Sequence, residues 1–415
     1  MTSLNSSYGR SQAVPLSVFE QSKDAHIIRS DEEAIEIAKQ LAQEFAQEAS
    51  DRDRERRLPL NEIQQFSQSG LWAITVPKQF GGAQVKYRTL AEVIKTIASV
   101  DPSLAQLPQN HLAFIEHLRL DAKPEQQQFF FNLVLRGIRF GNAFSEKHSK
   151  TVADLTTTLR KTEHGYEING KKFFATGALL AHWIPIVAVN ELGQPYAALV
   201  PRETSGVNII NDWSGFGQRT TASGTVELNQ VPVREEYLVP IYQAFERPTP
   251  AGAISQFIQA AVDAGIARGA IEETIQYVKN HSRAWIDSGL EKASDDPYTI
   301  ANIGDLKIKL LAAEAVLDLA GDAIDQAIAN TTEEHVNQAT LLVAEAKVLT
   351  TEIAILAANK LFELSGTRST LSELNLDRHW RNARTHTLHD PVRWKYHIVG
   401  NYYLNGVQPP RHAWS

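Results

Sequence analysis

Hydrophobic residues along this chain repeat with two different periods, and the period changes twice. In the first region Ile37, Leu41 and Phe45 recur every fourth residue after a helix-capping Ser30, which is typical of one apolar face of a helix. The helical pattern continues, with short breaks, to about Gly137. This region is therefore predicted to be all helical.

From Gly141 to about Pro240 the pattern changes to short alternating segments. Residues 156–168 and 184–200 are each typical of two strands joined by a tight turn that contains glycine. Residues 225–228 continue the same alternation. A compact antiparallel β domain of about 100 residues is predicted here.

Beyond Ala253 the pattern is helical again, and the predicted helices are long. They cover 253–281, 299–330 and 331–365, with apolar residues at intervals of three and four. A helix of about thirty residues is roughly 45 Å long. Long helices with short connections predict an antiparallel bundle.

In chain order, these patterns predict an α+β protein with several domains. A polar tail over 1–29 precedes an all-α domain over 30–140. A central antiparallel β-barrel or β-sandwich domain over 141–240 follows, and a C-terminal four-helix bundle domain spans 241–415. Helices and strands do not alternate, so a doubly wound α/β fold is not expected.

Composition and charge narrow the classes of protein. Of the 415 residues 43% are hydrophobic, which excludes disorder as a description of the whole chain. Cysteine is absent, so disulfides, thiolate nucleophiles and iron–sulfur clusters are excluded. The 41 basic residues form no long block and are outnumbered by 48 acidic ones, so a nucleic-acid partner is not expected.

No segment has the pattern of an export signal or a membrane span. The first thirty residues are polar and lack the apolar core of a signal peptide. No stretch reaches about 18 consecutive apolar residues, so no membrane partner is expected. We therefore expect a cytoplasmic protein.

Two common kinds of cofactor site are not predicted. No GxGxxG motif follows a strand, and the nearest candidate, 215–217, lacks the third glycine and a following helix, so a Rossmann dinucleotide site is not expected. His386 and His389 lie three residues apart, but no third ligand stands at metal-binding spacing. We therefore predict no metal site.

Four motifs occur in an order that resembles the acyl-CoA dehydrogenase superfamily. They are an apolar run at 71–82, the segment 142–146, the Gly-Lys-Lys-Phe-Phe-Ala-Thr stretch at 170–176, and the Gly-Gln-Arg-Thr-Thr run at 217–221. The resemblance covers roughly residues 30–400. It implies an acyl-CoA dehydrogenase-like fold with the three domains described above, and a homotetramer.

A further motif resembles one subgroup of this superfamily. Residues 381–391, Arg-Asn-Ala-Arg-Thr-His-Thr-Leu-His-Asp-Pro, are similar to the C-terminal signature of flavin monooxygenases of the dibenzothiophene monooxygenase kind. The whole chain also resembles SfnB-type sulfur-acquisition oxidoreductases. The resemblance implies a flavin-dependent monooxygenase that oxidises a small organosulfur compound with O2. Because the chain lacks a nicotinamide fingerprint, a separate flavin reductase would have to supply the reduced flavin.

One alternative is an FAD-dependent acyl-CoA dehydrogenase that acts on an acyl thioester. Such enzymes usually carry a glutamate base in a Tyr-Glu-Gly-Thr motif, where this chain has His389, Asp390, Pro391 and Val392. The carboxylate is one methylene shorter, and the proline fixes the local backbone. A base must lie within hydrogen-bonding reach of its proton, so the motif favours the monooxygenase. A flavin-binding protein without turnover would leave this motif unexplained.

The resemblance also implies which residues are catalytic. A flavin monooxygenase must donate hydrogen bonds, handle one proton and exclude bulk water where reduced flavin meets oxygen. We predict His389, His111 and Thr176 as the residues for these tasks. His111 has an open alternative as a hydrogen-bonded helix histidine. Ile115 replaces an aromatic phenol of the relatives, so the substrate pocket is expected to differ.

Residues that surround the flavin are implied by the same motifs. Asn142 and Thr176 offer an amide and a hydroxyl that suit hydrogen bonds around an isoalloxazine ring. In the family, the matching segments touch the flavin or its surroundings. The predicted cofactor-binding residues of these segments are Asn142, Phe144, Ser145, Phe174 and Thr176.

The expected cofactor is FMN, with FAD as the alternative. FAD enzymes of this fold hold the diphosphate with glycine-rich segments, but here those segments are Gly-Thr-Arg-Ser at 366–369 and Pro-Val-Arg at 391–393. Arg368 is predicted to grip a single phosphate through its guanidinium fork. Arg283 is predicted to do the same from a neighbouring subunit.

Overall fold

The structure, a computed structural model, describes residues 24–147 and 150–415. Most of the polar tail predicted over 1–29 therefore lies outside the described residues. Along the rest of the chain helices come first, then a sheet, then long helices, as the hydrophobic pattern predicts.

The helices of the N-terminal region begin and end at recognisable signals. Ser30 caps the first helix, because its hydroxyl oxygen accepts the backbone N–H of Glu33 at 3.1 Å. Gly70 follows the third helix with φ +84°, and a Cβ there would lie 2.1 Å from the carbonyl oxygen of His26. The helices are α1 (Asp31–Ala46), α2 (Ala49–Glu55), α3 (Leu60–Gln68), α4 (Tyr87–Ala98), α5 (Pro102–Gln106), α6 (Gln109–Asp121) and α7 (Pro124–Leu135).

A seven-stranded sheet forms the centre of the described chain. Its strands are β1 (Thr158–Thr162), β2 (Gly165–Lys172), β3 (Trp183–Val189), β4 (Pro195–Pro201), β5 (Val207–Ile210), β6 (Thr225–Val233) and β7 (Leu238–Val239). Their spatial order is β5-β6-β2-β1-β3-β4-β7. Both predicted hairpins are present, β1 with β2 and β3 with β4.

The sheet differs from the purely antiparallel one predicted from the sequence. Strand β2 is flanked by β1 and β6, and β3 joins at the edge of β1 that β2 leaves free. The chain reaches that edge through residues 173–182, and β3 then runs parallel to β1, with Thr158 opposite Val189. Strands β5 and β7 stand at the two ends of this order, so the described strands form an open mixed sheet.

Three long helices dominate the C-terminal region, and they begin and end within two residues of the predicted bounds. The shorter helices over 377–386 and 393–405 pack on them. In the described residues, none of these helices is apolar enough over its length to cross a membrane. The helices are α8 (Gln243–Glu246), α9 (Ala251–Asn280), α10 (Pro297–Ala329), α11 (Glu333–Ser365), α12 (Asp377–His386) and α13 (Arg393–Asn405).

The N- and C-terminal helical regions, predicted as separate domains, share one hydrophobic core. Helix α9 packs against α4 so closely that a Cβ at Gly269 would lie 2.1 Å from the carbonyl oxygen of Ser99. The sheet has a core of its own. Helix α9 therefore connects the two helical regions and is a rigid support for the residues placed along it.

Candidate active site

The turn between α12 and α13 carries the predicted catalytic histidine. His389 is exposed, with 37% of its side chain accessible, and its Nδ1 lies 3.1 Å from the amide nitrogen of Gln259 on α9. The Gln259 amide can donate to Nδ1, and no group of the described residues forms a hydrogen bond with Nε2. Nδ1 also lies 3.4 Å from a carboxylate oxygen of Asp390. This arrangement fixes the ring and leaves Nε2 available to a molecule in the cavity.

A fully buried ionic network lies directly below this turn. Asp263 of α9 accepts from the Lys347 ammonium at 2.7 Å, from the His386 ring at 2.5 Å and from the Thr351 hydroxyl at 3.2 Å. Burial opposes ionisation of Asp263, but Lys347 and His386 outweigh it and hold the carboxyl pKa at about 2. The network joins α9, α11 and α12. Its histidine, His386, lies three residues before His389 in the sequence.

A cavity of about 680 Å³ lies beside the His389 turn. It is bounded by residues 151–153, by α13 and by the segment 407–414. His389 and Asp390 form part of its wall, and the rest is mostly apolar, including Trp394, Ile398, Val407, Pro409 and Trp414. The cavity has the size and lining of a site for a small organic molecule.

Thr176 lies in a loop where the backbone is strained. Phe174, Gln218 and Ala222 all have positive φ, at +55°, +49° and +50°. Such conformations are costly for residues other than glycine and cluster at functional sites. The Thr176 hydroxyl lies 3.0 Å from the Ser223 hydroxyl, so the two strained segments form one buried polar corner.

The polar groups around this corner fit a flavin ring. Gln218 is 2% exposed, yet neither atom of its side-chain amide has a partner among the described residues, and the hydroxyl of Thr385 lacks one too. Burying an unpaired amide is costly, so these groups call for a ligand with donors and acceptors on its edge. An isoalloxazine has such an edge. Gly217 brings the corner against α12, because a Cβ there would lie 1.9 Å from the carbonyl oxygen of Arg381.

The segment with Asn142, Phe144 and Ser145 runs beside this corner. The side-chain oxygen of Asn142 accepts the backbone N–H of Phe144 at 3.0 Å. The carbonyl oxygen of Ser145 accepts the N–H of Phe173 at 2.9 Å. These bonds attach the predicted flavin-contacting segment to the loop that carries Phe174 and Thr176. The structure therefore brings these five predicted cofactor residues together.

A buried ion pair at the base of this segment was not predicted from the sequence. Glu146 lies 2.6 Å from the ammonium of Lys172 and also accepts from Thr156 and Thr157. Burial opposes ionisation, but these hydrogen bonds outweigh it and hold the Glu146 pKa at about 2. The pair anchors the loop whose residues 151–153 border the cavity.

His111 lies elsewhere, in the N-terminal core. Its ring is fully buried, with Nε2 2.8 Å from the carbonyl oxygen of Trp72 and Nδ1 accepting the N–H of Phe140 at 3.0 Å. Burial lowers its pKa to about 3. In this conformation the ring has no nitrogen left for substrate or flavin. This geometry favours the structural alternative for His111, and its catalytic role stays a prediction.

Arg283 and Arg368 share one end of α9. Arg368 lines a surface cleft with Asn280 at the end of that helix. The loops that carry the two arginines meet there, since the Ser282 hydroxyl donates to the carbonyl of Ser365. Helix α9 rises about 1.5 Å per residue, so this end lies roughly 30 Å from Gln259 and the His389 turn. Within one chain the predicted phosphate ligands and His389 are therefore far apart.

Sequence reasoning also missed Gln259, Asp263 and Lys347. Each is polar and buried within a long apolar helix. The signal in the sequence was Asp263, the single acidic residue in the Ala- and Ile-rich stretch 253–267. Because a buried charge needs a partner, such a residue indicates a polar contact inside the core. Among the described residues, no group of three His, Cys, Asp or Glu side chains could hold a metal ion.

Comparison with known proteins identifies the family. Three domain families match the chain, namely the N-terminal domain of acyl-CoA dehydrogenase over residues 31–137, the middle domain over 143–231 and the C-terminal domain over 257–394. A probable FMNH2-dependent monooxygenase, SfnC of Pseudomonas putida, is 33% identical over 386 residues, which cover 91% of this chain and 96% of SfnC.

Two solved structures are also similar. TdsC of Paenibacillus sp. A11-2, a dibenzothiophene monooxygenase solved with FMN, is 34% identical with a TM-score of 0.88, covering 92% of this chain and 100% of TdsC. The methanesulfinate monooxygenase MsuC of Pseudomonas fluorescens is 32% identical with a TM-score of 0.85, covering 92% of this chain and 99% of MsuC. The chain therefore belongs to the acyl-CoA dehydrogenase family. Its relatives there include these flavin-dependent monooxygenases.

Proposed function

We propose that this protein is an FMNH2-dependent monooxygenase that oxidises a small organosulfur compound. Relatives named for FMNH2 dependence, for dibenzothiophene and for methanesulfinate support the proposal. The observation that carries it is His389, which faces the cavity directly before Asp390, the residue at the position of the dehydrogenase base. When bound, reduced FMN supplies the electrons with which O2 gives one oxygen atom to the substrate.

Asp390 is a poor substitute for a dehydrogenase base. Its side chain is 6% exposed. Burial opposes its ionisation, but His389 beside it holds the pKa well below the usual range of an aspartate. A carboxylate with a depressed pKa is a weak proton acceptor. The local electrostatics therefore support the monooxygenase over the acyl-CoA dehydrogenase.

We propose that His389, Thr176 and Asn142 surround the reactive part of the flavin. His389 presents Nε2 to the cavity, and there the imidazole can donate a hydrogen bond or return a proton. Thr176 and its partner Ser223 supply hydroxyl groups at the strained corner. The tight packing of these loops against α12 excludes water from the ring.

Arg283 and Arg368 are proposed to hold the FMN phosphate of a neighbouring copy. They lie too far along α9 from His389 to hold the far end of the same FMN. A homotetramer would supply them, and we propose this assembly. Large apolar side chains exposed along α10 support it, because such surfaces are normally buried between subunits; they are Tyr298, Ile300, Ile308, Leu311 and Leu319.

Reduced FMN is proposed to come from a separate flavin reductase, since the sequence has no nicotinamide-binding motif. The FMN can arrive by diffusion or by transient contact with the reductase. A cytoplasmic location stays a prediction of the sequence.

The test of this function is oxygen uptake by the purified protein with FMN, NADH and a flavin reductase. We expect an added organosulfur compound to be oxidised only when both reduced FMN and O2 are present. FAD in place of FMN is the matched cofactor control and should support less turnover. Oxidation of an acyl-CoA thioester with an artificial electron acceptor and no O2 would establish the dehydrogenase instead.

A further inference from the structure

A buried glutamine of α9 holds the ring of His389. Gln259 is 1% exposed, and its amide nitrogen lies 3.1 Å from Nδ1 of the histidine. Its amide oxygen is buried as well and has no hydrogen-bond partner among the described residues. Burying an amide in an apolar helix is costly unless it is hydrogen-bonded. The contact with His389 is the side-chain hydrogen bond that offsets this cost within the described chain.

Helix α9 holds the turn before α13 at two points. Gln259 and Asp263 are four residues apart, so they lie on the same face of α9. Gln259 contacts His389, and Asp263 contacts Nδ1 of His386 at 2.5 Å. The main-chain N–H of His389 donates to the carbonyl oxygen of His386 at 3.1 Å. The ring of His389 is therefore fixed relative to a buried part of the core.

The two side-chain contacts differ in the protonation states that they allow. Burial opposes ionisation of Asp263, but Lys347 and His386 hold its pKa at about 2. A carboxylate accepts hydrogen bonds and cannot donate them, so Nδ1 of His386 must carry a proton. An amide has both an N–H donor and a carbonyl acceptor. Gln259 can therefore bind Nδ1 of His389 whether or not this nitrogen carries a proton.

We infer that Gln259 is a positioning residue for His389 and keeps the imidazole facing the cavity in each of its protonation states. The inference rests on the proposed monooxygenase function, in which His389 donates a hydrogen bond or returns a proton. When the proton is on Nε2 alone, the amide N–H donates to Nδ1. When Nδ1 is protonated, rotation of the amide about its last side-chain bond brings the carbonyl oxygen to accept from it. The proton passes between Nε2 and the molecule in the cavity, and Gln259 neither gains nor loses one.

The charged groups around His389 stay the same when Gln259 is changed. Asp390 lies 3.4 Å from Nδ1; burial opposes its ionisation, but His389 holds its pKa well below the usual range. Burial lowers the pKa of His386, and the charge of His389 lowers it further. Beyond these groups lie the ion pair of Asp263 with Lys347 and, in the wall of the cavity, Lys395, His397 and His412.

A carboxylate at position 259 would add one negative charge to this fixed set of neighbours. An opposite charge within about 4–6 Å favours the charged form of a titratable group. Gln259→Glu should therefore favour the imidazolium form of His389 and retain its proton to higher pH. Gln259→Met removes both hydrogen-bonding groups with little change in size and adds no charge, so it should release the ring without favouring either form.

The experiment follows exchange of the C2 hydrogen of each histidine for deuterium in the FMN-loaded protein, resolved by peptide mass spectrometry. The exchange rate as a function of pH gives the pH midpoint of protonation of His389 without turnover. Gln259→Glu should raise this midpoint by about one pH unit, and Gln259→Met should leave it unchanged. Gln43→Glu and Gln43→Met, at an exposed glutamine of α1, are the matched controls and should not move it.

Product formed per O2 consumed is the second measurement. Gln259→Met should lower it about ten- to a hundredfold, because the ring is no longer held in place. FMN affinity, measured by fluorescence titration, should stay the same. The Gln43 variants should match the wild type in both respects.

Two results would each overturn the proposal: an unchanged His389 midpoint in Gln259→Glu, or wild-type yield of product per O2 in Gln259→Met. Parallel losses of product and of FMN binding in Gln259→Met would also overturn it, since they indicate a general structural role. If Gln259→Met does not fold, the exchange profile of Gln259→Glu decides. A wild type that forms no product with reduced FMN and O2 would contradict the monooxygenase function, whereas the exchange profile tests the contact separately.

Discussion

The core around His111 and the turn around His389 place the same side chain in opposite environments. His111 is fully buried, and the main chain at Trp72 and Phe140 occupies both ring nitrogens. His389 has 37% of its side chain accessible, and Gln259 holds one nitrogen while the other is left to a cavity. The difference teaches that a free nitrogen beside a cavity, rather than a histidine in a motif, defines the candidate catalytic group.

Their surroundings differ in charge as well. The rings of Trp72 and Phe140 both lie 5.0 Å from the His111 ring, and burial keeps that histidine neutral. His389 instead follows His386, which is held by the ionised Asp263 and Lys347 network. His111 therefore links backbone segments of the core, whereas His389 lies next to a buried ionic network.

The largest effect is expected from His111→Ala. The change removes a buried ring and leaves the N–H of Phe140 and the carbonyl of Trp72 unpaired, which should lower the free energy of unfolding by about 3–5 kcal/mol. Urea unfolding followed by circular dichroism measures this loss. Unaltered stability combined with abolished turnover would instead support the catalytic role of His111.

His389→Ala should leave the fold and FMN binding intact but lower product formation about 10²–10³-fold. Oxygen should still be consumed, and hydrogen peroxide should appear in place of oxidised substrate. Parallel assays of oxygen, peroxide and product test this. Asp390→Asn should have a smaller effect, because Asp390 acts only through the histidine. The proposed role of His389 is wrong if the variant couples oxygen to product as well as the wild type.

Arg368→Ala should weaken FMN binding about ten- to a hundredfold, since one charge-assisted pair with the phosphate is lost. Fluorescence titration with FMN measures the change, and riboflavin, which lacks the phosphate, is the control ligand. The arginine is proposed to act on a neighbouring copy, so the assembly must be intact for the comparison. Light scattering should therefore give the mass of a tetramer for both the wild type and Arg368→Ala. A monomeric wild type that binds FMN tightly would contradict this arrangement.

The smallest effect is expected on the pH dependence of stability, and it tests the burial of His111. Burial lowers the His111 pKa to about 3, while the unfolded chain titrates near 6.5. Between these values the unfolded state binds a proton that the folded state does not, so stability falls as the pH drops. Replacing the residue by asparagine should reduce this slope by up to about 1.4 kcal/mol per pH unit. Equal slopes between pH 6 and 4 would mean that His111 titrates freely in the folded protein.

Local sequence pattern was sufficient for the long helices and the hairpins. Helices α9, α10 and α11 keep to the predicted bounds because their apolar repeats and end signals depend on residues a few positions apart. The hairpins of β1–β2 and β3–β4 follow from glycine-containing turns for the same reason. The parallel pairing of β1 with β3 depends on which sheet edge is free, and no local pattern encodes that.

Only those residues of the candidate site that lie in recognisable motifs could be predicted from the sequence. Asn142, Thr176 and His389 lie in segments that resemble a known family, and the structure places the segments of the first two side by side. Gln259 and Lys395 had no such signal, since they sit in helices where a polar residue is normally assigned to the surface. Their burial appears only once the helices pack.

The sequence by itself determined the elements, their order, the family resemblance and the positions of the chemical motifs. Tertiary structure alone decided that His111 is enclosed, that Arg368 stands at the far end of α9 and that Lys395 lines the cavity. The physical reason is the range of the interactions. Periodicity and capping act over a few residues, whereas the contact between Gln259 and His389 joins positions 130 residues apart, and only the packed chain brings them within 3.1 Å.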